Sequence, residues 1–288
     1  MTTKRRRPPI GDPYKRAVVL AEAIAATWGR SASGGSDLEI PVGVVAALAL
    51  VRPADPNEPD PAEFLLALDA DGFAETLRTI WATFAAVRPD LSPNVYPVRN
   101  WLWEDRPARI LDAARDVGRT AVDHGLLDLV ADYRMEIDVF GTLLVELRPK
   151  SAISGRGQYY TPHPVAAVMA RMLRPKPGER VLEPAVGTGG MLLAAAEALR
   201  ADGHDPATVK WYANDIDPIA IACLAVNAHL WELGPHVLFA VANALTEPDW
   251  IPGALAARDI AISEVRAARM VAAFQSLMGA EGGHELSE

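Results

Sequence analysis

Residues 181–191 (VLEPAVGTGGM) place a carboxylate, Glu183, at the end of a short apolar run, then Gly187, Gly189 and Gly190, then an alanine-rich segment. Strand, glycine turn and helix start follow in that order. Glycines let a ligand lie against the backbone, and a helix start offers free amide donors. The same turn also makes a plain tight corner, and the run is not GxGxxG. The next strand-like segment ends in Asn214-Asp215-Ile216-Asp217-Pro218. An acid at that place is where a doubly wound fold grips ribose hydroxyls, because a carboxylate accepts two hydroxyl protons. Such spacing serves a dinucleotide and S-adenosylmethionine alike. After the third strand-like segment, Asn243 offers an amide that could read a base edge, or a turn residue and nothing more.

These residues need a scaffold, and the periodicity divides it in two. The first half reads helical. Residues 13–29, 41–51, 61–87, 107–134 and 137–147 carry apolar positions at three- and four-residue intervals, with a break expected near Asp71-Gly72. An acidic, proline-rich connector, VRPADPNEPDP, spans 51–61. After Pro149, β-branched segments alternate with helical ones, the pattern of a parallel sheet wound with helices. Strands are predicted at 180–183, 211–216, 237–241 and 259–263, and helices at 190–201 and 218–233. A last helix is predicted over 264–278, capped by Ser263 and stopped by Gly279. The expected layout is a basic arm at 1–12, an α-helical domain at 13–150 and a Rossmann-like α/β domain at 151–288.

Composition narrows the function classes. Of 288 residues, 28 are Lys or Arg and 37 Asp or Glu, a net charge of -9 that argues against a uniformly basic nucleic-acid coat. The charge is uneven: Lys4, Arg5, Arg6, Arg7, Lys15 and Arg16 face only Asp12 within the first sixteen residues. That arm could hold phosphates, or be a solubilising tail. One cysteine, Cys223, excludes an internal disulfide framework and fits a reducing compartment. Its apolar neighbours point to core rather than nucleophile. The histidines show no metal-ligand spacing. The longest apolar stretch, 42–51, falls well short of the ~20 residues of a membrane span, and no secretory signal opens the chain. A soluble, cytoplasmic protein is expected. Trp101 and Trp103, near Arg99, Arg106 and Arg109, could form a base-stacking surface or pack between helices.

Four runs resemble the adenine-specific DNA methyltransferases, especially the methylase subunits of type I restriction-modification systems. Asp138-Val139-Phe140-Gly141 with Glu146 is similar to the helix that leads into the family's catalytic domain. Gly157-Gln158-Tyr159-Tyr160-Thr161-Pro162 is similar to the motif preceding the cofactor loop. The run from Glu183 to Gly190 is close to that loop, and Asp215-Ile216-Asp217-Pro218 resembles the ribose-binding motif. The resemblance covers roughly residues 135–263 and implies S-adenosyl-L-methionine as cofactor. Glu183 would bind the methionine amine, and Gly187, Thr188 and Gly189 would let the cofactor lie on the backbone. Asp215 and Ile216 would form the ribose site, and Tyr160 and Thr161 would flank the methionine end. Asn243 stands where the family usually has Asp, and its amide oxygen can still accept from the adenine amine.

The family's catalytic motif, Asn or Asp, two prolines and an aromatic residue, follows its fourth strand. Adenine's exocyclic amine is a poor nucleophile because its lone pair is delocalised. The motif's side-chain oxygen and a proline carbonyl accept its hydrogens, while the aromatic residue stacks on the flipped base. Here Glu264-Val265-Arg266-Ala267 follows the fourth predicted strand, with no proline pair and no aromatic residue. Glu264 could accept one hydrogen bond, or be an acid favoured at a helix start. No target-recognition region is evident. The resemblance therefore implies an S-adenosylmethionine-binding protein that transfers methyl to adenine in DNA if active. The alternative is a catalytically silent cofactor binder acting as a regulatory or complex-forming subunit; a dinucleotide oxidoreductase is disfavoured by the 157–162 run. The sheet is expected to stop after its fourth strand, whose open edge would favour a protein partner or self-association, and DNA would be reached through that partner or the arm.

Overall fold

Aspartates start many of the helices. Asp60 accepts from the backbone N–H of Ala62 at 2.9 Å, Asp69 from Gly72 at 2.8 Å, Asp138 from Gly141 at 2.9 Å and Asp217 from Ile219 at 3.0 Å. Each satisfies an amide that the first helical turn leaves free, and Pro61 and Pro218 fit the first position because they lack that amide. The computed structural model describes residues 11–31, 37–52, 59–148 and 161–281. The bases at 4–7, the centre of the proline-rich connector and Tyr160 with the preceding Gly-Gln-Tyr lie outside the described residues.

The helical part comprises α1 (Pro13–Ser31), α2 (Glu39–Ala49), α3 (Pro61–Ala67), α4 (Ala70–Val87), α5 (Tyr96–Arg99) with a 3₁₀ turn over Asn100–Trp103, α6 (Ala108–Asp123), α7 (Leu126–Tyr133) and α8 (Val139–Leu147). The break expected at Asp71-Gly72 falls slightly earlier, at Leu68-Asp69, where Asp69 caps the second helix. The segment read as one helix over 107–134 is two, because Gly125 adopts a left-handed φ of 80° between them. Helix α2 is the hub: Ile40 to Ala49 are buried, and α4, α5, α6, α7 and α8 pack around it.

The rest is α9 (His163–Leu173), β1 (Arg180–Pro184), α10 (Gly190–Ala201), β2 (Lys210–Asp215), α11 (Pro218–Leu230), β3 (Val237–Val241) and α12 (Ile251–Glu281). Among the described residues the sheet has three parallel strands in the order β1-β2-β3. The register aligns Glu183 with Ala213 and Phe239, and Asp215 with Val241. Val181, Trp211 and Val237 therefore share one face, which packs into the same apolar core as α2, α8 and α11. Helix α11 is buried on nearly every side, from Ala220 to Ala228. The chain is thus of the α/β type, with a small parallel sheet beside a helical part.

The predicted fourth strand at 259–263 is not a strand. Those residues lie inside α12, which runs unbroken through Ser263 and Gly279. Ser263 is not a helix cap; its hydroxyl donates to the carbonyl of Asp259 one turn back, at 2.8 Å. Asp-Ile-Ala-Ile-Ser alternates like a strand over five residues, but the half-buried positions 251, 254, 255, 258, 261, 262 and 265 recur at helical intervals over a longer span. The longer period wins, in an alanine-rich segment where helix is locally favoured. Helix α12 packs along β3 and reaches back to the helical part, where Arg269 donates to the carbonyl of Ala86 at 2.6 Å. Among the described residues the edge strands of the sheet are β1 and β3, and there is no fourth strand.

Candidate functional site

The C-terminal ends of β1 and β2 bring the two acids singled out in the sequence onto neighbouring strands. Between β1 and α10 the backbone takes positive φ at Ala185 (65°), Gly187 (56°) and Gly189 (102°). Gly189 has a second constraint: a Cβ there would lie 2.6 Å from Leu224 Cδ1 and 2.9 Å from Trp231 Cζ3. The loop must therefore fold tightly against α11.

Asp215 ties the three strand-end loops together. Its carboxylate accepts from the Gly187 N–H at 2.8 Å and the Asp217 N–H at 2.9 Å, one on each oxygen. Its carbonyl accepts from the Ala242 N–H at 2.9 Å. Neighbouring Asn214 donates to the Ala242 carbonyl at 3.1 Å, and its own carbonyl accepts from the Val186 N–H at 3.0 Å. The Asn214 side-chain oxygen is buried without a hydrogen-bond partner. Each Asp215 oxygen keeps a lone pair for a further donor such as a hydroxyl.

Glu183 differs from Asp215. It is half-buried, burial raises its pKa above the ordinary glutamate value, and no hydrogen bond or salt bridge to it is found among the described residues. A partly desolvated carboxylate with no donor is costly unless a cation or donor arrives.

The other singled-out residues divide. Ile216 is 60% exposed directly beyond Asp215, an apolar surface beside a polar one. Asn243 is half-buried; its side-chain oxygen accepts from the Leu245 N–H at 3.0 Å, the turn anticipated as one of its two readings. Thr188 is buried, and its hydroxyl is committed to Asp138 rather than to the loop's outer side. Thr161 is exposed just before α9, which is moored to α10 through His163 and Glu197 at 3.1 Å. Glu264 stands exposed in the middle of α12, so the position expected just beyond a strand end is not one. Trp101 is buried and donates to the Val98 carbonyl at 3.1 Å, whereas Trp103 is exposed with the Arg99 guanidinium 5.5 Å above its ring. Cys223 is core: it is fully buried, and burial pushes its thiol up.

Two sets of contacts were not foreseen in sequence, although Asp138 itself opens one of the four runs that carry the resemblance. Asp138 accepts from Thr188 and from Asn227 at 3.0 Å, and Arg148 forms a buried ion pair with Asp217. The first had a local signal, an aspartate before the apolar helical run Val-Phe-Gly. The second had none, since its partners lie far apart in the chain. A cavity of about 610 Å³, lined by Arg52, Arg88, Arg134 and His229, opens at the opposite ends of the strands and includes neither Glu183 nor Asp215. Among the described residues no group of three or more His, Cys, Asp or Glu is placed to hold a metal ion.

Acids at the ends of adjacent parallel strands, with a glycine turn opening a helix between them, define the ligand-binding end of an α/β fold. Comparison with known proteins carries the class further. Residues 136–265 match the family model for N-6 DNA methylases. The chain is 36% identical over 77 residues to the type I restriction enzyme StySPI methylase subunit of Salmonella potsdam, covering 26% of this chain and 15% of that protein. It is 38% identical over 71 residues to the EcoKI methylase subunit of Escherichia coli K12, covering 24% and 13%. Over 93 residues it is 31% identical to the MjaIX methylase subunit of Methanocaldococcus jannaschii, covering 31% and 16%. The matches thus span about a seventh of these relatives' own length. A type I restriction-modification methyltransferase subunit from Streptococcus thermophilus aligns with TM-score 0.45 and 16% identity, covering 81% of this chain and 60% of that one. Through residues 136–265 the chain resembles the adenine-specific DNA methyltransferase family of restriction-modification systems.

Among the described residues no helix is long and apolar enough to cross a membrane.

Proposed function

We propose that this chain binds S-adenosylmethionine at the ends of β1 and β2, as the cofactor-binding part of an assembly that methylates the exocyclic amine of adenine in DNA. The observation that carries the reading is Glu183: a half-buried carboxylate with no described partner, beside the Asp215 carboxylate on the next strand. An α-amino group supplies the missing cation at Glu183, and ribose hydroxyls supply donors to the free lone pairs of Asp215. Gly187 keeps the intervening backbone bare, Gly189 lets the loop close onto α11, and Ile216 offers an apolar surface for a ring. The donor set fits the group. When bound, it supplies an electrophilic methyl on sulfonium sulfur; the protein's part is to orient it and exclude water. In this reading Tyr160 and Thr161 flank the methionine end, and Asn243 accepts from the cofactor's adenine.

The sequence contains no Asn-Pro-Pro or Asp-Pro-Pro run followed by an aromatic residue. Glu264 is exposed on α12 and is followed by Val265, Arg266 and Ala267, with neither a proline pair nor an aromatic residue. The proposal therefore assigns cofactor binding to this chain and gives Glu264 no part in base activation. The relatives' description as methylase subunits supports methyl transfer within an assembly. The bases Lys4 to Arg7 are proposed to contact DNA phosphates. Residues 13–150 and 151–288 are proposed as the helical and Rossmann-like parts of one unit built on a shared apolar core.

Labelled S-adenosylmethionine in equilibrium dialysis tests the site. Glu183→Gln is expected to weaken binding about tenfold or more, the worth of a hydrogen bond to a charged group. Glu264→Ala is expected to change nothing. Equal binding by wild type and Glu183→Gln would remove the reading.

A further inference from the structure

Helix α8 touches both loops that carry the acids. At its N-terminus Asp138 caps the helix through the Gly141 N–H, and the same carboxylate accepts from the Thr188 hydroxyl in the β1 loop and from the Asn227 amide of α11. The Asn227 amide also donates to the Thr188 carbonyl at 2.9 Å, so Thr188 is held from two sides. Packing there is close: a Cβ on Gly141 would lie 2.4 Å from an Asp138 oxygen and 2.9 Å from the Thr188 hydroxyl. One residue past the other end, Arg148 is buried against Asp217, with 5% and 7% of the side chains exposed. Asp217 caps α11 and donates its own N–H to Asp215.

We infer that α8 is a strut that fixes the spacing of the β1 and β2 loops, with Asp138, Thr188, Arg148 and Asp217 as positioning residues for the ligand held between them. This rests on the cofactor reading only for the identity of the ligand. A helix of this length, at ~1.5 Å per residue, spans the width of two or three strands. A buried ion pair stabilises little over a packed apolar pair, because desolvation offsets the attraction. What it gives is one geometry. Gly187 bonds Asp215, and Thr188 is the next residue, so a shift at either end of α8 moves the backbone on which Glu183 and Asp215 converge.

The test uses the full chain, with Thr188→Val and Arg148→Met as single and double variants and Thr188→Ser as the conservative control. Three readouts are taken: S-adenosylmethionine affinity, the unfolding midpoint, and amide hydrogen exchange at 185–190 and 215–219. Each single variant is expected to weaken affinity about tenfold and to speed exchange in both loops, not only the one it touches. The double variant should be little worse than either single one, since the strut works as a unit. Thr188→Ser should restore both values. If Arg148→Met does not fold, Arg148→Lys, which keeps the charge but loses the fork, is expected to move the same amides in the same direction. Lower midpoints with unchanged loop exchange, or exchange quickened only beside the substituted residue, would overturn the inference. If wild type binds no S-adenosylmethionine, the cofactor reading fails while the exchange pattern still decides the strut.

Discussion

Glu183 carries a pH dependence that its surroundings dictate. Burial raises its pKa in the free protein, and only the ionised form pairs with an ammonium group. Affinity for an amine-bearing cofactor should therefore be lost as pH falls through that raised value and level off above it. Titrations between pH 4 and 8 would check this, and Glu183→Gln should flatten the profile. Gly189 is the second residue with a sharp expectation. Alanine there must hold a φ of 102° and push its Cβ into Leu224 and Trp231, so Gly189→Ala should cost about 2–4 kcal/mol in urea unfolding. These residues were legible in sequence because a strand, a glycine turn and a helix start are contiguous. Asp138 was legible only as a helix start: its role depends on Thr188 and Asn227, which lie 50 and 89 positions further on.

At the level of elements, the reading succeeded where the period was long and failed where it was short. The three strands lie within a residue or so of their expected places, because each is bounded by a turn and followed by a helix. The five-residue alternation at 259–263 was too short to outweigh the helical stripe that continues on both sides. The same misreading put Glu264 at a strand end. Helix α12 makes its sheet contact along β3, so a break in it should spare the ends of β1 and β2. Ile260→Pro is expected to hasten tryptic cleavage at Arg258, Arg266 and Arg269, yet leave S-adenosylmethionine affinity within about twofold, because proline disrupts a helix locally. Loss of binding would mean that residues 259–263 support the site as a strand would.

Over the whole molecule, the helical and α/β parts share one apolar core. Helix α11 packs on β2 and β3 on one side and on α2, α5 and α8 on the other. Polar ties cross the same boundary: Trp231 donates to the Ile137 carbonyl at 3.1 Å, Arg88 to the Gly234 carbonyl at 3.1 Å, and Asn94 to the Phe239 carbonyl at 3.1 Å. A fragment of residues 151–288 should therefore lack cooperative unfolding and bind a hydrophobic dye, since one side of α11 would be bare. A sharp two-state transition in that fragment would show that the parts are independent. Composition and periodicity separated a helical part from an α/β part, but could not show that α11 belongs to both, because its sequence is apolar all round and names no particular neighbour.

The claim on which these expectations turn is that the ends of β1 and β2 hold S-adenosylmethionine. Calorimetric titration of the full chain with S-adenosylmethionine and, separately, with NAD tests it most directly. Saturable one-to-one binding of S-adenosylmethionine, weakened about tenfold or more in Glu183→Gln, with no comparable heat from NAD, is the expected result. No binding of S-adenosylmethionine, or tighter binding of NAD, would contradict it.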